Sequence, residues 1–356
     1  MPAGNVTAFF MFDVGDAIDL PQLAGRVDRT VASRLATKPP TPIYLQYQQP
    51  PLMFEASALG AGDVNGFPVR VKAFDYGVLS LAVTRPLPES WDEAFAAGLD
   101  WQDDADLAQA AERLCRDMLS RIQATVSRPR DNFLSEDYVV FTVHPGSDSE
   151  TAEQLLALRG GQIAQLLRAE RTALSAQEHE EVLRHRISYY QTDVVIPTWS
   201  SAFVYDTSAG AAGVLEILEF ANSQLLEFRY YDQLLDVELA RTYASLQRGG
   251  WRQTWLGRHH ARAARQIHAI FIDVNELTDR AENALKIAGD VYAARIFALA
   301  AARLGLDQWK GNVREKLKTV DDIYRFTVEQ TSMARGEFLE LTIVLLIILE
   351  LILLTH

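Results

Sequence analysis

Few residues of this sequence have the types and spacing that a known reaction requires. His179 and His185 lie six positions apart, and on a helix that spacing turns them to different faces. His260 and His268 are eight apart and can share a face, but no acidic or sulfur ligand accompanies them. Cys115 is the one cysteine, so the chain has neither an internal disulfide nor a cysteine cluster for zinc. We therefore predict no catalytic residue, no metal site and no cofactor.

The glycines of residues 60–66 resemble a nucleotide-binding fingerprint without matching it. Their spacing has one residue too many, and the segment lies between predicted strands rather than at the start of a helix. The sequence contains no GxxxxGK[ST] phosphate loop and no GxSxG nucleophile elbow. These observations favour a hairpin loop at residues 60–66.

Two further groups of side chains each admit a functional and a structural interpretation. The aromatic group could line a pocket or fill the core of a sheet. Its members are Tyr189, Tyr190, Trp199, Phe203 and Tyr205. The polar group belongs to one predicted helix, and could set pairing between chains or form the solvated face of that helix. Its members are Glu219, Asn222, Glu227, Arg229 and Asp232.

The composition is that of an ordinary globular protein with an acidic balance. The 356 residues are 48% hydrophobic and 23% charged, which is enough apolar material for two domains. The net charge of −13 argues against nucleic acid as the main partner, because phosphate binding needs a positive surface. The N-terminus lacks the features of a secretory signal, and a single cysteine suits a reducing cytoplasm.

The first part of the chain alternates strand and helix patterns. Strands are predicted at 7–14, 52–59, 69–83 and 137–144 and within 187–206, and helices at 20–35, 90–98 and 106–126. The 69–83 segment is expected to reverse near Asp75–Gly77. Two more helices are expected between residues 150 and 185, the first interrupted at Gly160–Gly161 and the second capped by Ser175. We predict an α+β fold whose head, residues 1–206, is an α/β sandwich with a ferredoxin-like tendency.

The pattern changes in residues 207–337, for which we predict a helical stalk. Three long helical runs are expected at about 211–248, 259–304 and 307–354, with apolar residues at alternating spacings of three and four. That spacing is typical of a helical bundle or coiled coil. Each of the last two helices would be roughly 70 Å long, so we predict an antiparallel, coiled-coil-like hairpin that projects from the head.

Residues 338–356 form a hydrophobic C-terminal tail. Its 17 residues from 338 to 354 contain only two charges and would span roughly 25 Å as a helix, the short end of the transmembrane range. We therefore predict a membrane anchor, with a buried core helix or an oligomer-forming helix as the alternative. The residues that define the tail are Phe338, Glu340, Ile343, Leu346 and Glu350.

A basic cluster opens the middle helical run. Its residues are Arg258, His259, His260, Arg262 and Arg265. Antiparallel pairing of the last two helices would place this cluster beside the tail, with Arg262 opposite Glu350. The cluster could then bind anionic lipid head groups or pair with Glu350, or it could simply be a solvated helix face.

The C-terminal sequence also resembles a known family. Arg335, the Leu339–Glu340 pair, an aliphatic run at 343–349 and Glu350 follow the terminal signature of the YagE family, also called the required-for-meiotic-nuclear-division family. Residues 219–236 and 273–306 resemble its preceding helices. The resemblance implies an α/β domain, a helical hairpin with a C-terminal membrane segment, and frequent self-association. It supplies no catalytic residues.

Together these features predict a membrane-anchored, self-associating scaffold or adaptor without known catalytic activity. The partners expected are further copies of the chain, the lipid bilayer through the tail and an unidentified protein, with the bulk of the chain in the cytoplasm. Two alternatives stay open. One is a tethered enzyme with an unrecognised site in the head, and the other is a soluble oligomer assembled through the C-terminal helices.

Overall fold

The chain has a mixed α+β architecture, with a seven-stranded sheet in its N-terminal part and helices in its C-terminal part. A computed structural model describes residues 4–27, 49–102, 104–146, 150–247, 270–272, 274–275, 291–323, 325 and 342–344. The predicted α+β class is confirmed at this level.

The strands and helices follow one another closely along the chain. The strands are β1 (Gly4–Asp13), β2 (Ala17–Ile18), β3 (Leu52–Glu55), β4 (Val69–Ala73), β5 (Val78–Pro86), β6 (Val126–Ser127), β7 (Leu134–Val143), β8 (Val194–Pro197) and β9 (Ser201–Tyr205). The helices are α1 (Leu20–Ala24), α2 (Trp91–Gln102), α3 (Ala105–Ile122), α4 (Ala152–Arg168), α5 (Ala176–Arg184), α6 (Ser208–Gln247), α7 (Val291–Leu304) and α8 (306–323).

The main sheet has the strand order β3-β4-β5-β1-β7-β9-β8. Neighbouring strands are antiparallel except β7 and β9, which run parallel. The predicted reversal near Asp75–Gly77 is confirmed, because β4 ends at Ala73 and β5 begins at Val78. Gly77 has a φ of +93°, and a side chain there would overlap the carbonyl oxygen of Gly15, so only glycine fits this turn.

One face of the sheet packs on helices α2 to α5. The even-numbered side chains of β1, such as Phe10 and Phe12, share an apolar core with Leu99 of α2, Leu107 of α3 and Leu166 of α4. This alternation follows from the strand period of two, which sends Phe9 and Met11 to the opposite face. Both faces are therefore buried, which explains why these strands are apolar almost throughout.

The opposite face of the sheet packs on α6. This helix has 40 residues and is therefore about 60 Å long. Lys72 projects from β4 to reach Glu216 and Glu219 of α6, which identifies the strand face that the helix covers. Helix α7 packs beside α6, since the rings of Phe220 and Phe297 lie 5.8 Å apart.

Helix α4 runs through Gly160–Gly161 without a break, so the predicted interruption is wrong. Gly160 is instead a close-packing position, where an added Cβ would lie 3.0 Å from Leu183 Cδ1 of α5. The predicted cap of α5 is confirmed, because the Ser175 hydroxyl accepts a hydrogen bond from the Glu178 amide.

The chain divides into two compact units. The first comprises Met1–Tyr230 with Thr278–Asp307, and the second comprises Tyr231–Leu277 with Gln308–His356. In the second unit, Leu235, Val313 and Val320 are fully buried. The head, stalk and tail bounded at residues 206 and 337 stay predictions.

The predicted membrane anchor requires correction. Among the residues that the structure describes, no helix is long and apolar enough to cross a bilayer. The transmembrane helix and the membrane location are therefore wrong. Ile343 is 53% exposed, whereas the other tail residues lie outside the described residues: Phe338, Glu340, Leu346 and Glu350. The whole basic cluster at residues 258–265 also lies outside them.

Candidate functional site

The middle of α6 is buried on all sides, although it is rich in polar residues. Every residue from 216 to 228 is buried. The polar members of this stretch are Glu216, Glu219, Asn222, Ser223, Gln224 and Glu227. The solvated-face interpretation of this polar group is therefore wrong. A buried charge costs several kcal/mol unless it is paired, so the environment of these side chains identifies the candidate site.

Lys72 occupies one end of the site. Its side chain is 1% exposed, and its ammonium lies 2.5 Å from Glu216 Oε2 and also contacts Glu219 Oε2. Glu216 and Glu219 are three residues apart and so project from the same face of α6. One cation thus lies between two buried carboxylates, and it fixes α6 against the edge-proximal strand β4.

Glu136 occupies the other end, where the charges are reversed. Lys72, Ser80, Met11 and Glu136 stand directly opposite one another across β4, β5, β1 and β7. Glu136 forms an ion pair with Arg229 of α6. Three strand spacings amount to about 14 Å, and the ten steps along α6 from position 219 to position 229 amount to about 15 Å. Helix α6 therefore crosses four strands, and an ion pair holds it at the first and at the last of these strands.

Tyr76 contacts the helix between these two ends. Its hydroxyl lies 2.7 Å from the Ser223 hydroxyl, and its ring stacks on Phe74 at 5.1 Å. Burial raises the pKa of Tyr76 well above its ordinary value, and the nearby carboxylate of Glu227 adds to that effect. The phenol therefore stays neutral and serves as a hydrogen-bonding group.

Arg130 joins the end of β1 to α6. Its guanidinium donates to Asp13 and, at 2.9 Å, to Asp16 Oδ1. The same guanidinium lies over the ring of Tyr230, 3.8 Å from the ring centroid. Arg128 pairs with Asp16 from the solvent side, where its own side chain is 82% exposed. Two carboxylates thus share one half-buried guanidinium that also stacks on the Tyr230 ring of the helix.

Asp13 has an unusual affinity for its proton. Its side chain is fully buried, and Oδ2 has no hydrogen-bond partner among the described residues. Burial raises the pKa of Asp13 to about 7, Arg130 opposes this shift, and Asp16 reinforces it. Because Arg130 is shared with Asp16, it offsets only part of the cost of burying the charge. Asp13 is therefore a carboxyl that titrates near neutral pH.

This network is suited to holding the helix rather than to turning over a substrate. Lys72 and Glu219 are each 1% exposed in their side chains, so a solute in water does not reach them. In the described part of the chain, no three His, Cys, Asp or Glu side chains are placed to hold a metal ion. The chemistry available is proton binding at Asp13 and electrostatic fastening of α6.

The other residues singled out in the sequence have varied surroundings. Burial raises the pKa of the Cys115 thiol, so that side chain is an unreactive core group. His179 lies on α5 beside an open depression of about 600 Å³. His185 ends that helix, 3.5 Å from Glu181.

Two polar residues of α6 have partners within this chain. Asn222 donates to the carbonyl of Leu218 within its own helix, and Arg229 pairs with Glu136.

The aromatic group separates into two parts. Phe203 and Tyr205 are buried in the sheet, in agreement with the core interpretation. Tyr189, Tyr190 and Trp199 are instead 60%, 70% and 68% exposed. These three rings lie on loops at the two ends of β8 and contribute no sheet core.

Several members of the network were not identified from the sequence. These are Asp13, Asp16, Lys72, Arg130, Glu136 and Tyr230. A signal existed for Lys72, one of two cations inside the strand pattern VRVKAF, and for Asp13, which ends an apolar strand. Asp13 lies 117 positions from Arg130, and Lys72 lies 147 positions from Glu219, so local pattern could not pair them.

Comparison with known proteins relates the chain to an archaeal group. The family model described as "Uncharacterized protein MJ0711, N-terminal domain" matches residues 3–212. The uncharacterized protein MJ0711 of Methanocaldococcus jannaschii is 26% identical over 253 residues, which cover 71% of this chain and 74% of the relative. No solved structure matches. The resemblance to the YagE family is therefore wrong, because the matching family is a different one.

Proposed function

The chain belongs to the family defined by the N-terminal domain of MJ0711, and on that premise we propose that it is a self-associating scaffold or adaptor protein. Copies associate through the helices of the second unit, and the α/β unit is presented to a further protein. The observation that carries the proposal is the exposed apolar surface of the second unit.

That surface consists of large apolar side chains in contact with solvent. Val237 and Tyr243 of α6 are 46% and 50% exposed, and Phe271 and Ile272 of the same unit are 51% and 50% exposed. The same unit buries Leu235, so its helices already have an internal core. Apolar side chains left outside that core are the kind that a second copy would cover.

The helical pattern supports a coiled-coil-like stalk. Val313, Leu317 and Val320 of α8 are buried at spacings of four and three residues. Lys316, on the same helix, lies 2.7 Å from both Asp232 and Asp236 of α6. Buried seams flanked by ion pairs are the arrangement that coiled coils use.

The order of the central strands supports a ferredoxin-like core for the head. Strands β4, β5, β1 and β7 are adjacent in that order, and each neighbouring pair is antiparallel. Numbered along the chain as four strands, they read 2-3-1-4, the order of a split βαββαβ unit. On this proposal β3, β8 and β9 are additions to that core.

The buried network supports a scaffold over an enzyme. Its ion pairs connect α6 to β4 and β7, and α6 continues from the first unit into the second. The charged groups of the first unit thus have a structural role within that unit.

The proposal is tested by sedimentation equilibrium of the full chain. We expect the natural chain to form oligomers, and Val237→Glu or Phe271→Glu to raise the dissociation constant at least about tenfold, because a carboxylate would be desolvated on association. Leu158→Glu is the matched control. Leu158 is 69% exposed on α4 of the first unit, so this change adds the same charge elsewhere and should leave association unchanged.

Two results would contradict the proposal. The first is a natural chain that stays monomeric up to about 0.1 mM, since association that weak would not support a functional homo-oligomer. The second is an oligomer that Leu158→Glu weakens as much as Val237→Glu does.

A further inference from the structure

Two exposed tyrosines form a rigid corner beside the edge strand β8. Tyr189 and Tyr190 are 60% and 70% exposed, and their ring planes meet at 85° with centroids 4.8 Å apart. Tyr292 of α7 adds a third ring, 5.3 Å from that of Tyr189. Three aromatic rings thus lie side by side with differently tilted planes, and two of them are well exposed.

Asp193 holds this corner in place. Its side chain accepts hydrogen bonds from the backbone amides of Tyr189 and Tyr190, each at 2.7 Å, and from the Tyr292 hydroxyl at 3.0 Å. Asp193 is only 3% exposed. Asp193 therefore fixes the backbone that carries Tyr189 and Tyr190 and holds the Tyr292 ring before any ligand arrives, which lowers the entropy lost on binding.

The corner lies in a negative electrostatic environment. Burial raises the pKa of Tyr292, the carboxylates of Asp193 and Asp206 raise it further, and Arg295 opposes the shift. Burial likewise raises the pKa of Asp206, to which Asp193 adds, while Thr207 and His144 oppose the shift. The chain as a whole carries a net charge of −13. Such a site attracts cations both through the ring faces and through the carboxylates.

Other aromatic rings of the described residues already have a cation from this chain. Arginines lie over Trp91, Trp101, Phe133 and Tyr230 at 3.8–5.7 Å. Within the same described part of the chain, no arginine lies over Tyr189 or Tyr190. The corner thus offers the exposed rings of Tyr189 and Tyr190 to a cation from a partner.

We propose that Tyr189, Tyr190 and Tyr292 form a binding site for an arginine or lysine side chain of a basic partner protein. The cation stacks on the tyrosine faces above the Asp193 carboxylate. This site lies entirely within the first unit and requires no contact between copies, so its failure would leave the proposed self-association untouched.

The test is calorimetric titration of the full chain with a blocked tetra-arginine peptide. The matched neutral probe is the tetra-citrulline peptide, which keeps the shape of arginine without its charge. We expect binding of the arginine peptide only, weakened roughly three- to fivefold by Tyr190→Leu and retained by Tyr190→Phe, because an aromatic face is what the cation requires.

Trp199→Leu is the matched control. Trp199 is 68% exposed and lies in the turn between β8 and β9, at the other end of β8 from the corner. This change also removes an exposed aromatic ring, and it should leave peptide affinity unchanged.

Three results would overturn the site. Equal binding of the citrulline peptide would show apolar rather than cationic recognition. An unchanged affinity of Tyr190→Leu would show attraction by the general acidity of the chain. Absence of measurable heat up to about 5 mM peptide would show that the affinity is too weak for a binding site. Circular dichroism of each variant confirms that the fold is kept.

Discussion

Asp13 links the stability of the fold to pH. Its pKa of about 7 in the folded chain lies above the ordinary value of 3.8, so the folded state binds this proton more tightly than the unfolded state. The stabilisation from the bound proton is complete below about pH 4, is lost as the pH rises to about 7 and is constant above that.

Asp13→Asn should therefore remove a pH dependence. Between pH 5 and 8 the natural chain is expected to lose roughly 2–3 kcal/mol of unfolding free energy through Asp13, a loss that the neutral amide does not suffer. The measurement is urea unfolding of both chains at several pH values. Asp16→Asn is the comparison, because it keeps the Asp13 carboxyl and removes one charge that raises its pKa, so the pH dependence should remain but be smaller. Parallel pH profiles of Asp13→Asn and the natural chain would refute the assignment.

Lys72 shows how strongly a buried cation depends on its partners. Lys72→Met leaves Glu216 and Glu219 buried without their cation, and we expect a loss of roughly 3–5 kcal/mol in unfolding free energy. The triple variant Lys72→Met, Glu216→Gln, Glu219→Gln removes all three charges and should recover much of that loss. Denaturant unfolding of the single and the triple variant measures the loss and its recovery. A single variant as stable as the natural chain would show that the three groups are not a buried ionic unit.

Helix α4 offers a matched pair of glycines at the scale of a secondary-structure element. An added Cβ at Gly160 would meet Leu183 Cδ1 at 3.0 Å and His179 Nε2 at 3.2 Å, whereas at Gly161 nothing lies within 4 Å. Alanine is favoured over glycine in a helix by about 1 kcal/mol. The environment at each position decides whether that gain is realised.

Gly161→Ala should accordingly raise the unfolding free energy by roughly 0.5–1 kcal/mol. Gly160→Ala should show no gain or a loss, because α5 would have to move away from α4. Thermal unfolding of the two variants provides the comparison, with each serving as the control for the other. Equal stabilisation by both would mean that α5 does not pack closely at Gly160.

Self-association belongs to the scale of the whole molecule, where net charge matters. Each copy carries a net charge of −13, so copies repel one another at low ionic strength. If the apolar surface of the second unit drives assembly, raising the salt from about 0.05 to 0.5 M should strengthen association, because the repulsion is screened. Sedimentation equilibrium across this range measures the effect. Weakening by salt would instead indicate that ion pairs hold the copies together.

The sequence by itself determined the class of the fold and much of its local structure. The alternating strands, the reversal at Asp75–Gly77 and the Ser175 cap depend on side-chain period and turn chemistry within a few residues. Long apolar-periodic helices after residue 207 were also readable, since Val313, Leu317 and Val320 are buried as the spacing indicates. Such features need no knowledge of distant contacts.

Only the tertiary structure decided which polar residues are buried and with what partners. For the polar face of α6 the sequence left chain pairing and solvation open, because its helix spacing is the same in water and in a core. Its partners are Lys72 on β4 and Glu136 on β7, each more than 90 positions from the α6 residue that it contacts. Arg130 is likewise more than 90 positions from both Asp13 and Tyr230. The membrane prediction and the family resemblance failed for a related reason: apolar helices of one period look alike, whatever surrounds them.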